Sequence, residues 1–186
     1  MKRACEDCGG RVRHRVIRAF RDDAVLGVPG VVLVNAVTET VCTRCRRVAG
    51  ITIPNPAGAI AAAGIARVMH PVKLTGAELR AVRRAAGYTA KDLAEVLDVR
   101  AETVSRWETG VEPIGSANEK VARLVLGNAL DQGAPSSLVA FDPDALVAMQ
   151  LRASRAGGRP PEIRLALVRV GDAATGGAWD HAKRAA

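Results

Sequence analysis

Two Cys-x-x-Cys pairs constrain this chain more than any other feature. Cys5 and Cys8 form the first and Cys42 and Cys45 the second, and the 186 residues hold no other cysteine. A gap of two lets both sulfurs of a tight turn face one ion, and two such turns complete a tetrahedron. The spacing therefore predicts a structural Zn(II) site with Cys5, Cys8, Cys42 and Cys45 as its ligands. Iron asks for the same four thiolates, so the metal stays open between zinc and iron. Four cysteines close the coordination shell, which speaks against a catalytic metal. No secretory signal is apparent, so reduced thiolates are expected rather than disulfides. Gly9 follows the first pair, where freedom at positive φ helps the chain turn behind a metal. Arg46 stands in the equivalent place after the second pair. His14 reads as a solvated strand residue.

Between the pairs, residues 12–16 alternate apolar and polar, the pattern of a half-buried strand. Residues 31–37 read as a second strand after the Pro29-Gly30 turn signal. A short metal-clamped sheet is expected over residues 1–50, too small to hold itself together without the ion. Net charge is +8 and unevenly spread. Residues 1–50 carry 10 basic and 5 acidic groups, residues 71–134 carry 9 and 9, and residues 135–186 carry 7 and 5. The basic excess has two readings: compensation for a tetrathiolate of formal charge about −2, or a surface for nucleic acid or an acidic partner. With aromatics at 3%, a base-stacking surface for single strands is disfavoured.

A helical stretch follows. Asn55 and Pro56 open an Ala-rich helix over residues 57–69, with Ile60, Ala63, Gly64 and Val68 on one face. Thr75 and Glu78 form a capping box for a helix that stops at Gly87. A helix from Thr89 carries Leu93, Ala94 and Leu97, and after a three-residue turn another runs from Ala101 to Glu108 with Val104 and Trp107 facing inward. Ser116 and Glu119 read as another capping box, opening a helix with Val121, Leu124 and Val125 on its stripe. Two short helices, a tight turn and a small residue at Ala94 describe a helix-turn-helix.

The segment from Leu93 to Gly110, LAEVLDVRAETVSRWETG, resembles the Cro/C1 (Xre-type) helix-turn-helix. Preceded by the paired Cys-x-x-Cys module and its Val28-Pro29 segment, it resembles MqsA-type antitoxins. The resemblance implies a zinc module that binds a small toxin protein, and a helix-turn-helix domain that dimerises and represses its own operon. It implies base contacts from Arg100, Ala101, Glu102, Thr103 and Arg106, and a phosphate contact at Thr89 and the Ala90 amide. It also implies a structural ion pair between Arg83 and Glu108. Arg106 is chemically suited to grip guanine O6 and N7, and Glu102 to accept from the cytosine amino group. The zero net charge over residues 71–134 keeps a protein-binding role for the same helices open. Asp98 departs from the Cro/C1 pattern by standing where a glycine is common.

Residues 133–137 and 157–161 read as linkers. Between them a short helix starts at Asp142-Pro143, and residues 163–167 alternate as a strand that must pair with something. The tail, with Trp179 and Lys183-Arg184, reads as partly disordered. The sequence thus predicts an α+β chain in four parts. A zinc-bound β-rich module spans 1–52, and a linker and connecting helix span 53–73. An all-α Cro/C1-type helix-turn-helix domain spans 74–132, followed by a short α/β extension over 133–186. Nucleophile-elbow, Walker and zinc-protease motifs are missing, so the reading is non-enzymatic. No apolar run is long enough to span a bilayer, so no membrane partner is expected. The expectation is a soluble cytoplasmic homodimer on double-stranded operator DNA. Its role is an antitoxin-like autorepressor, a free-standing regulator, or a zinc-bearing protein adaptor.

Overall fold

The computed structural model describes residues 4–133, 137–153, 160–168 and 177–182. The elements run β1 (Val12–Phe20), α1 (Asp23–Leu26), β2 (Val31–Cys42), β3 (Val48–Thr52), α2 (Pro56–Val68), α3 (Gly76–Ala85), α4 (Ala90–Val96), α5 (Ala101–Thr109), α6 (Ser116–Gly133), α7 (Pro143–Ala148), β4 (Ile163–Val168) and β5 (Ala178–His181).

β2 organises the sheet. It pairs antiparallel with β1 along its length, from Val12 opposite Cys42 to Phe20 opposite Leu33. Its other edge is shared: β3 pairs antiparallel near its end, and β4 pairs parallel near its start, Val31 opposite Ile163. β5 adds antiparallel to β4. Burial along β2 follows from these neighbours. Val31, Val32 and Leu33 are buried in succession, the mark of a strand covered on both faces. Towards Cys42 burial roughly alternates, as in a sheet with one wet face.

The strands at residues 12–16 and 31–37 are present and longer than their patterns indicate, and β3 carried no pattern long enough to read. The sheet also joins the first fifty residues to the C-terminal extension, which the sequence reading treated as separate units. The tail is corrected at β5: Trp179 is fully buried, and its indole N–H donates to the Asn55 carbonyl at 3.0 Å. Residues 134–136 and 157–159 of the expected linkers, and Lys183-Arg184, lie outside the described residues.

α2 is the central pillar. Asn55 caps it, accepting from the Gly58 amide at 3.1 Å. Ala59 and every residue from Ala61 to Val68 are buried, because α2 packs against α3 and α6 on one side and α1, β4 and β5 on the other. Small side chains let neighbours approach from all round, so the expected single apolar face is a nearly complete one. Phe141 closes on α6 at Gly127, where an added Cβ would sit 2.2 Å from its ring.

Four charged side chains are buried where α2, α3 and α6 meet. Arg67 is fully buried and grips Glu78 through Nε at 2.6 Å and Nη2 at 3.0 Å. It also donates to the Val72 and Lys73 carbonyls. Arg123, equally buried, holds Glu119 at 2.7 Å and donates to the Val68, His70 and Val72 carbonyls. The expected capping box at Ser116 is thereby corrected. Glu119 turns inward, accepts the Leu74 amide at 2.7 Å, and leaves the Gly115 carbonyl to start α6. The stripe of α6 is corrected with it: Ala122, Arg123, Leu126 and Leu130 face the core, and Val121 is exposed.

His70 sits against this cluster, its Nδ1 accepting the Val72 amide at 3.2 Å. Burial, then the Arg67 and Arg123 charges, hold its pKa below the ordinary 6.5. The unfolded chain therefore takes up the proton first on acidification, and stability present above about pH 6.5 is lost as pH falls below it. The urea midpoint is expected to drop between about pH 7.5 and about pH 5.5, and His70→Asn, which keeps an acceptor but cannot titrate, flattens that slope. An unchanged slope in the variant would assign the acid sensitivity elsewhere.

Candidate metal centre and nucleic-acid interface

The two cysteine pairs are built as copies of one knuckle. In the first, the Cys5 amide donates to the Gly10 carbonyl and the Gly9 amide to the Cys5 carbonyl, both at 2.8 Å. In the second, the Cys42 amide donates to the Arg47 carbonyl at 2.9 Å and the Arg46 amide to the Cys42 carbonyl at 3.1 Å. Gly9 and Arg46, at matching places, both take positive φ, +68° and +59°. The β1–β2 pairing carries the knuckles to the same end of the sheet, where the Thr43 amide and hydroxyl both donate to the Arg11 carbonyl.

The four sulfurs lie within 4.8 Å of one another. Cys5 and Cys45 are 3.7 Å apart and Cys8 and Cys42 3.5 Å. Disulfides need about 2.05 Å, whereas four sulfurs at about 2.3 Å from one zinc lie about 3.8 Å apart. The donor set fits a tetrahedral tetrathiolate ion. Gly10 completes the cradle: an added Cβ would sit 2.8 Å from the Arg44 Cβ and 3.0 Å from the Cys42 sulfur. That constraint was not legible in the sequence.

The thiols divide sharply in acidity. The Cys45 amide, then the Arg44 amide and the Cys8 and Cys45 side chains, outweigh burial and lower Cys42 to about 6. At Cys45 the Arg47 amide pulls downward, but burial and the Cys8, Cys42 and Cys5 side chains push it up to about 12. Four thiolates this close ionise together only around a cation. An ion held by all four would be structural, since four protein ligands leave no place for substrate. Arg46 adopts a backbone conformation that suits glycine. Arg46→Gly is therefore expected to raise stability by ~0.5–1 kcal/mol after the extra unfolded-state entropy is counted. Thermal unfolding of the metal-loaded chain would show a higher midpoint, and a lower one would mean that the Arg46 side chain contributes more than its backbone costs.

The second candidate lies on α4 and α5. Leu93, Ala94, Val104 and Trp107 are buried, and Ala94 lets the two helices approach. The turn passes through Asp98 at φ +52°, with the Asp98 amide on the Glu95 carbonyl and the Val99 amide on the Ala94 carbonyl. Asp thus takes the left-handed place that glycine commonly fills. Gly110, at φ +75°, ends α5.

The exposed face of α5 holds Arg100, Ala101, Glu102 and Arg106, with Thr103 half-buried beside them. Ser105 and Thr109 share this face and were not singled out by the sequence reading. Arg106 is 60% exposed, with its Nε 3.4 Å from a Glu112 oxygen. At the start of α4, Thr89 and Asp92 form a reciprocal capping box, and the Thr89 amide donates a hydrogen bond to the Asp92 carboxylate at 2.8 Å. That amide, then the Thr89 hydroxyl, keep the Asp92 carboxyl below the usual carboxylate range.

Arg83 and Glu108 fasten α3 to the end of α5, with Nε to Oε1 at 2.5 Å and Nη2 to Oε2 at 3.0 Å. Arg83 also donates to the Tyr88 carbonyl, and Arg80 reaches Glu108 at 3.2 Å, a partner the sequence did not reveal. Both members of the main pair are buried, so the pair sets the pose of α5.

Residues 75–126 match the helix-turn-helix domain family. No curated protein and no solved structure matches the chain. The matched stretch spans α3, α4, α5 and the first part of α6, and a domain of this kind suggests a DNA-binding regulator. Enzymatic activity is not typical of such domains. Among the described residues, no helix is long and apolar enough to cross a membrane.

Proposed function

We propose that this chain is a sequence-specific transcriptional repressor that binds double-stranded DNA as a homodimer and carries a structural zinc at the cysteine end of its sheet. The observation that carries the reading is the exposed face of α5. Arg100, Glu102 and Arg106 stand clear of the core on a helix whose back is locked by Val104, Trp107 and the Arg83–Glu108 pair. A helix so held presents its N-terminal half to the major groove. Arg106 reads guanine after releasing Glu112, Glu102 accepts from cytosine, and Ala101 and Thr103 supply apolar contact to thymine methyls. Thr89 and the Ala90 amide meet a phosphate, against the Asp92 carboxylate that already occupies this helix start.

Within that class the reading is an autorepressing antitoxin of cytoplasmic location, found on the nucleoid when bound to DNA. Exposed Arg13, Arg15 and Arg18 on the edge strand β1 support a small acidic-faced toxin as the partner of the N-terminal module. Co-purification of a stoichiometric small protein from the native host supports it, and promoter DNA without such a protein makes the chain a free-standing regulator. A protein-binding adaptor is the second reading, favoured by the zero net charge of residues 71–134.

Arg106→Ala separates DNA binder from adaptor. It is expected to cost about 1–3 kcal/mol at the preferred DNA site and to relax specificity at one base pair. Arg164→Ala, on strand β4 and outside the helix-turn-helix domain, should change affinity little. Equal, small effects of the two variants would remove the assigned role of α5.

A further inference from the structure

The outer side of α6 carries almost no charge. Its 18 residues hold four charged side chains, Glu119, Lys120, Arg123 and Asp131. Glu119 and Arg123 are turned into the core, so Lys120 and Asp131, towards the two ends, are the charges left on the outer side. Between them Val121, Leu124 and Asn128 recur at i, i+3 and i+7, one line along the helix. Val121 is 42% exposed, and Leu124 and Val125 beside it are half-buried. The opposite side, through Ala122, Leu126 and Leu130, is already packed into the core. A surface helix ordinarily turns charge to the water, whereas α6 is apolar on both sides, as a helix between two partners is.

α7 widens this surface. Phe141 closes on Gly127, and Lys120 donates to the Val147 carbonyl at 2.6 Å, so α7 lies along α6. Leu146 faces inward, and Val147, beside Lys120, is 56% exposed. α7 stands outside the matched stretch, so the surface draws on the C-terminal extension as well as on the helix-turn-helix domain.

The end charges say what covers this face. Asp131 is exposed and has no partner among the described residues. The Lys120 ammonium makes one bond and keeps donors to spare. One sign therefore stands at each end of an apolar stripe. Such a stripe matches its own copy turned end for end: Lys120 of each copy meets Asp131 of the other, as a two-fold contact requires. A partner of a single charge sign would leave one end unmatched. We infer that a second copy of this chain docks here, the two α6 helices crossing antiparallel near Leu124 with Val147 at the margin. Such docking rests on the homodimer proposed above and gives it a surface.

Sedimentation equilibrium of the full metal-loaded chain, without DNA, tests this, with circular dichroism to check the fold of each variant. The native chain is expected to be dimeric. Val121→Glu sets two carboxylates in the seam and should weaken association about a hundredfold or more. Asn128→Glu, exposed on the same line, should do likewise, so a folding defect in one variant leaves the other to decide. Val16→Glu, exposed on β1, should remain dimeric. Asp131→Lys sets like charges at both ends of an antiparallel pair. It should weaken association about tenfold at low salt and recover at about 0.5 M. A folded Val121→Glu or Asn128→Glu that stays dimeric overturns the surface and leaves the homodimer standing. An unaffected Asp131→Lys overturns the antiparallel arrangement. A native chain that is monomeric at about 100 μM overturns the homodimer as well.

Discussion

Stripping the metal from the native protein is expected to melt the cysteine end of the sheet while its opposite end stays folded. A structural zinc contributes apparent folding free energy of about 10–16 kcal/mol in small modules, as large as the whole stability of an ordinary domain. A free-standing module of fifty residues would therefore unfold outright. Here the start of β2 has other support. Val31, Val32 and Leu33 are buried, β4 pairs with them in parallel, and β5 closes behind through Trp179. Near the knuckles, β3 and much of β1 face solvent. Hydrogen exchange after chelation should therefore show protection lost over residues 4–13 and 40–50 and kept over residues 31–34. Unchanged protection at the knuckles, with metal loss verified by elemental analysis, contradicts a structural centre. Collapse of residues 31–34 as well would mean that the parallel pairing cannot stand without the ion.

Arg67→Ala is expected to destabilise the chain by about 3–5 kcal/mol, because it leaves a buried partner charge uncompensated. Arg67 satisfies both oxygens of Glu78 and two carbonyls beyond the end of α2. Glu78 at the same time accepts from the Thr75 amide at 2.7 Å as the cap of α3. One substitution thus disturbs the anchor of α2 and the start of the helix-turn-helix domain together. Replacing Arg67 and Glu78 jointly by Met and Leu should cost much less, since no lone charge remains. Burial pushes the Glu78 carboxyl up, yet the Arg67 and Thr75 bonds outweigh it and hold it below its ordinary 4.5. The stability it supplies is therefore present above about pH 4.5 and is lost as pH falls through the lower folded value. Urea unfolding of the three proteins gives the comparison, and a single variant within about 1 kcal/mol of the native chain would mean that water replaces the guanidinium at little cost.

Features fixed by neighbouring residues were legible in the sequence. The Cys-x-x-Cys spacing places two sulfurs in one turn, and the structure brings all four within 4.8 Å. The Thr75 box carries its own partner three residues on and forms, as does the helix start read at Thr89. What escaped depends on distant partners. Nothing local in Ile163–Val168 says that it pairs in parallel with residues far back in the chain. Charged residues read by default as solvent-facing, so Arg67 and Arg123 gave no sign of being wholly buried. Reading Arg123 as outward put the stripe of α6 out of phase and made Glu119 a cap. The small side chains of α2 likewise hide how many neighbours surround it.

The central claim is that α5 reads a base sequence in the major groove. Its most direct measurement is selection of random duplexes by the full metal-loaded chain, followed by sequencing and a repeat with Arg106→Ala. The predicted result is enrichment of one two-fold symmetric site, with half-sites separated by about one helical turn or a multiple of it. One guanine position should lose its preference in the variant. No enrichment over the starting pool, or an identical site selected by the variant, would contradict the account.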